Sequence, residues 1–160
     1  MIMTRHTRLY GFTAATLLLA ACSGGPAWKE SVYTDQHFAV AFTAPPKVTK
    51  TGNVFLAEEN DGTIDLGVTA ACGIAPDRSP DDVMADAVAR TRANGTVRNV
   101  TYTATGQTMG REMLIDRAGA TTVDQRIFVK GGCLYLVFGT ATGGPDDEQV
   151  RHFLDSFRLL

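Results

Sequence analysis

The chain reads as an α+β domain: an antiparallel sheet of about six to seven strands flanked by two helices. Three observations predict this. Seven stretches carry strand signals, and most are joined by Gly- or Asn-containing turns too short for the crossover that parallel strands need. Two segments switch to helical periodicity behind clear N-terminal signals. Cys133-Leu134-Tyr135-Leu136-Val137-Phe138 is apolar without interruption, which suits a central strand covered on both faces.

The elements follow in order. Residues 1–21 divide as a secretory signal does: Arg5, His6 and Arg8 with no acidic residue, an apolar run Leu9–Ala21, then small residues. Thirteen residues rise only about 20 Å as a helix, too short for a hydrocarbon core of roughly 30 Å. Residues 22–35, with Gly24-Gly25-Pro26, read as a tether, and Trp28 is expected to pack on its own domain. Residues 36–160 form the single expected domain. Phe38, Val40 and Phe42 alternate along a first strand that ends at Ala44-Pro45-Pro46. Val54–Glu58 and Thr63–Cys72 flank Asn60-Asp61-Gly62, a hairpin signal because these residues tolerate positive φ.

Ser79-Pro80-Asp81-Asp82 opens the first helix with an N-cap, a proline in the first turn and carboxylates at the positive dipole end. Val83, Met84, Ala87 and Val88 give it an inward stripe, and Asn94-Gly95 ends it. Four strands are then expected over 96–105, 111–116, 121–130 and 133–140, with Gly106, Gly110, Gly119 and Gly131-Gly132 in the turns. Gly143-Gly144-Pro145-Asp146-Asp147-Glu148 opens the second helix, with Pro145 expected in its first turn. Val150, Phe153, Leu154 and Phe157 supply its apolar face.

Leu19-Ala20-Ala21-Cys22 resembles the lipobox of bacterial lipoproteins. The resemblance implies that the Cys22 thiol takes a diacylglyceryl group and that cleavage before it makes Cys22 the first residue of the mature chain. Two or more acyl chains, each buried methylene adding about 0.8 kcal/mol, hold a protein to a membrane firmly. Ser23 after the cysteine implies the periplasmic face of the outer membrane. The mature 139 residues carry 13 basic and 17 acidic side chains, because the leader holds two of the 15 basic residues and none of the 17 acidic ones. That balance argues against nucleic acid as a partner and against electrostatic adhesion to anionic lipid.

With Cys22 acylated, Cys72 and Cys133 remain, and an exported, oxidising compartment makes them candidates for one disulfide. The alternative is two buried, reduced thiols, since both sit in apolar strand-like runs.

Val123-Asp124-Gln125-Arg126-Ile127-Phe128, the run Cys133–Val137 and the closing Phe153-Leu154-Asp155-Ser156-Phe157-Arg158-Leu159 resemble the PsbP-like group. The resemblance covers about residues 36–160 and implies an α/β/α sandwich with Tyr135, Phe153 and Phe157 as packing residues. It brings no catalytic motif; the group's members mainly bind other proteins.

Chemistry is sparse. His37 and His152 are the histidines outside the leader, and neither lies in a metal-ligand motif. No Gly-x-Ser-x-Gly, Walker loop or dinucleotide fingerprint occurs, so no catalytic residue, cofactor or metal is assigned. Asp61 and Asp65 are better read as part of a turn than of a calcium loop. Asp81, Asp82 and Asp86 are better read as helix capping than as an acid/base set. Arg111, Arg117 and Arg126 could form an anion-binding patch, with a salt-bridged face as the stronger reading. The function expected is a lipid-anchored, non-catalytic protein-interaction or assembly module with a partner in the envelope. The alternative is a carrier or sensor of a small apolar or lipid ligand. An enzyme would instead require Asp, His or Arg side chains converging in one cleft.

Overall fold

The structure, a computed structural model, describes residues 25–119 and 121–160. The signal segment, the lipobox and Cys22 lie outside the described residues. Strands β1 (Lys29–Tyr33), β2 (Phe38–Phe42), β3 (Lys47–Thr51), β4 (Val54–Asn60) and β5 (Ile64–Cys72) precede α1 (Pro80–Arg92). Then come β6 (Thr96–Thr105), β7 (Thr108–Arg117), β8 (Thr121–Lys130), β9 (Cys133–Ala141), α2 (Glu148–Ser156) and β10 (Arg158–Leu159). Seven strands form one antiparallel sheet in the order β3-β4-β5-β9-β8-β7-β6, and a smaller sheet has the order β1-β2-β10.

This is the α+β architecture the sequence predicts. The unbroken strand β9 lies at the middle of the large sheet, fourth of seven. Its Cys133, Tyr135 and Val137 enter the core beneath α2 and the small sheet, while Leu134, Leu136 and Phe138 face the α1 side. Around Tyr135, Phe153 and Phe157, all buried, gather Phe38, Phe42 and Phe128. Phe128 stacks on Phe157 at 5.5 Å, and the Tyr135 hydroxyl donates to the Gln36 carbonyl at 2.9 Å. That hydrogen bond removes the cost of burying a phenol.

Helix α1 starts as its sequence dictates. Ser79 is the N-cap, its Oγ accepting from the Asp82 N–H at 3.1 Å, and Pro80 is the first helical residue. Helix α2 starts later than expected. Its N-cap is Asp147, whose carboxylate accepts from the Gln149 N–H at 2.9 Å, so Pro145 precedes the helix instead of opening it. An Asp two residues before a free N–H satisfies that donor, which a proline two positions upstream cannot do.

Three strands escaped the pattern. β1 lies within 29–33, inside the expected tether, and β3 is exposed at all five residues. β10 is two residues long. Each is set by its pairing rather than by apolar alternation. Trp28 packs against the core and its ring lies 4.3 Å from His152. Gly110, expected in a turn, sits buried inside β7, where the Phe128 ring covers it; a Cβ there would meet Phe128 Cδ1 at 2.5 Å. No helix among the described residues is long and apolar enough to cross a membrane.

Candidate functional site

The two ends of the large sheet differ. β3 presents Lys47 and Lys50, the charges by which natural edge strands resist pairing. β6, at the other end, pairs only with β7 and is exposed along most of its ten residues. Register places Tyr102 opposite Arg111 and Ala104 opposite Met109, so these four share the α1 face of the β6–β7 hairpin. Tyr102 is 72 % exposed and Met109 56 %.

Tyr102 is nevertheless held. The Arg111 guanidinium lies 4.0 Å over its ring, and Arg111 Nη2 is 3.1 Å from Asp81 Oδ1 on α1. The first turn of α1 thus orients an arginine, and the arginine flattens an exposed tyrosine. A rigid aromatic loses little side-chain entropy on contact, which makes it a strong anchor for another surface.

A second region lies where the C-terminal end of α1 leaves the sheet. Helix α1 packs mainly over β6, β7 and β8, and Leu134 and Leu136 of β9 stay half-buried beside it. They share a cleft of about 270 Å³ with Ile115, Gln125, Arg90 and Arg117. Gln125 is buried, and its Nε2 has no hydrogen-bond partner.

On the opposite face, a cleft of about 250 Å³ gathers Glu112, Asp124, Arg126, Asp146 and Asp155. Arg126 Nε is 2.9 Å from Glu112 Oε2, and its Nη1 is 2.8 Å from Asp155 Oδ1. Asp124 is buried with Oδ1 unpartnered. Burial first, and then the Glu112 charge, push its carboxyl up to about 6, while Arg126 works the other way.

The residues singled out from sequence sort as follows. Cys72 and Cys133 are direct register partners on β5 and β9, joined by a disulfide with Cα atoms 4.0 Å apart. The arginines do not form one patch, because Arg111 faces α1 while Arg126 is engaged on the other face. The Asp61 carboxylate accepts from the Thr63 and Ile64 N–H groups at 2.8 and 2.9 Å, which makes it a turn residue. Asp86 pairs with Arg78 at 2.7 Å, and Asp82 joins the Ser79 cap. Among the described residues no group of three or more His, Cys, Asp or Glu side chains could hold a metal ion. Tyr102, Asp124 and Gln125 carry no motif. The last two lie in the polar run Asp124-Gln125-Arg126 of strand β8, between Val123 and Ile127.

No family model matches the chain, and no curated protein does. Among solved structures, it is similar to the solution structure of cyanobacterial PsbP (CyanoP) from Synechocystis sp. PCC 6803. The TM-score is 0.56 at 12 % identity, over 91 % of this chain and 100 % of that one. A protein from Bacteroides thetaiotaomicron aligns with TM-score 0.48 and 12 % identity, over 82 % of this chain and 48 % of that one. The described domain thus has a PsbP-like fold.

Proposed function

We propose that this chain is a lipoprotein held at the periplasmic face of a bacterial outer membrane through Cys22, where it docks a partner protein and performs no catalysis. The observation that carries the docking is the β6–β7 edge. It combines a strand paired on one side only, an exposed tyrosine clamped by Arg111 and an exposed methionine on the same face. An edge strand offers main-chain hydrogen bonds to an incoming strand, and Tyr102 and Met109 offer side-chain anchors beside them. The leader and the Leu19-Ala20-Ala21-Cys22 resemblance support the anchor, and the PsbP-like fold is compatible with an interaction module. The Cys72–Cys133 disulfide suits an oxidising periplasm.

The test is site-specific photocross-linking in intact cells, with the photoreactive residue placed at position 102 or, as a control, at position 48 on the other edge. Position 102 is expected to give one dominant protein adduct that position 48 lacks. Met109→Ser should reduce that adduct. Adducts of equal yield from both positions, or none from position 102, would remove the docking reading. Cys22→Ala should release the protein from the membrane fraction; full retention there would remove the anchor.

A further inference from the structure

The cleft beside the C-terminal end of α1 has a chemistry that the docking edge does not use. Its floor is apolar: Ile115, Leu134 and Leu136, with Ala87 from the helix. No acidic residue lines it, whereas Arg90 and Arg117 both do. Neither arginine enters any ion pair among the described residues. The Arg117 charge is felt by Asp65, whose carboxyl is nevertheless pushed up by burial and by Glu58.

The other polar groups of the helix end are already engaged. The Thr91 hydroxyl donates to the Ala87 carbonyl at 3.0 Å, and Asn94 Nδ2 donates to the Arg90 carbonyl at 3.2 Å. The Gln125 amide is not engaged: it is 95 % buried, and its Nε2 donor has no partner. An unmet buried donor costs about 1–3 kcal/mol, so it is a poor choice for a strand interior unless something accepts from it.

On this face Gly67 leaves room for the Phe138 ring, which lies directly over it, and Leu134 and Leu136 stay half-buried at the edge of the α1 contact.

We propose that this cleft binds a compact organic carboxylate, its apolar body on Leu134, Leu136 and Ile115 and its anionic group among Arg117, Arg90 and the Gln125 amide. A cation would meet two arginines and no acid. A neutral apolar molecule would leave the Gln125 donor unmet. A carboxylate satisfies both the charge and the donor, and accepting from guanidinium groups is its strongest hydrogen-bonding mode. At about 270 Å³ the site lies at the small end for ligand cavities, which favours a single ring or a short chain over a long acyl tail. The negative end of the α1 dipole opposes an anion here, and two guanidinium groups that enter no ion pair among the described residues outweigh it.

The probes are benzoate, benzyl alcohol and benzylammonium, added to the full chain in detergent and followed by NMR at the Leu134 and Leu136 methyls and the Gln125 side-chain amide. Benzoate is expected to give saturable shifts at these signals, binding at least tenfold more tightly than benzyl alcohol, with benzylammonium giving none. The double variant Arg90→Gln/Arg117→Gln should lose that tenfold preference. Gln125→Leu should weaken benzoate severalfold while leaving Tm unchanged or higher, because it deletes an unmet donor; both variants are checked for a folded spectrum. A lower Tm with benzoate binding intact would make Gln125 a structural residue and overturn its role. Absence of saturable shifts, or equal binding of the three probes, would overturn the site itself.

Discussion

The two faces of the large sheet are built from different materials. The face beneath α2 and the small sheet holds Phe38, Phe42, Phe128, Tyr135, Phe153 and Phe157 in one aromatic cluster, closed over by β1, β2 and β10. The face beneath α1 has an aliphatic core of Met84, Val88, Met113, Ile115, Val123 and Ile127, with no buried aromatic ring. Only one helix covers it, and it covers part of the width. Aromatic packing is thus concentrated on one face and aliphatic packing on the other. Large rings fill one side, whose cleft at Asp124 is lined by charged groups, and the other keeps the clamped tyrosine, the unmet Gln125 donor and a cleft with an apolar floor. A surface that meets a ligand or partner cannot also be fully closed, which suits the thinner face to the proposed contacts.

That division can be broken by mutation, beginning with the largest effect. Phe153→Ala, in the sealed face, should cost about 5 kcal/mol in urea unfolding, the upper end for such truncations, because a closed site cannot collapse around the void. Val88→Ala, in the thin face, should cost about 1 kcal/mol. Equal losses would show that the faces do not differ.

Next comes the Cys72–Cys133 cross-link, which closes 61 residues of chain between two neighbouring strands of the sheet. The chain-entropy model gives it about 4 kcal/mol, less where the reduced pair repacks. Reduction, or Cys133→Ala, should therefore lower the urea midpoint and expose Cys72 to thiol reagents. Unchanged midpoints with and without reductant would show that the cross-link does not form.

Smaller still is Gly110→Ala. Its Cβ would press on the Ile127 carbonyl oxygen and on Phe128, and backbone cannot yield as a side-chain tip can. About 2 kcal/mol is expected by equilibrium unfolding, in the range for overpacking.

How much of this was legible follows from where each residue's environment is encoded. Cys133–Phe138 announces a doubly covered strand by itself, and Ser79-Pro80 announces a helix start, because burial and capping act over a few residues. Val150, Phe153 and Leu154 were equally readable as one inward stripe. The strands β1, β3 and β10 were not, since their mostly exposed residues are held by partners distant in sequence, as Arg158 is opposite Ala39. Gly110 looked like a turn because the Phe128 ring that requires it lies on the next strand.

The candidate site was less legible still. The stack of Arg111 on Tyr102 and its tie to Asp81 join residues from β7, β6 and α1, and no local pattern reports such a meeting. Asp124 and Gln125 were visible as polar residues in strand β8. Their burial on opposite faces depends on which helix covers which side.

Asp124 supplies the finest test of the comparison, because it is the strained polar group of the sealed side. Its neighbours in the cleft are Glu112, Asp146 and Asp155, against Arg126 and Arg151. Burial raises its carboxyl from 3.8 to about 6, so between those values the folded chain holds a proton that the unfolded chain releases. Stability from this group is therefore complete below about pH 4 and declines as pH rises through about 6. The cleft is partly open to water, which screens the effect to about 1 kcal/mol. Asp124→Asn cannot ionise, so its stability should not decline across that window, and the gap between variant and parent should widen by that amount from pH 4 to 7. A gap that stays constant would mean that Asp124 ionises as easily in the fold as in the unfolded chain. The acids around it would then be balanced by Arg126 and Arg151, and the sealed face would carry no stored electrostatic cost.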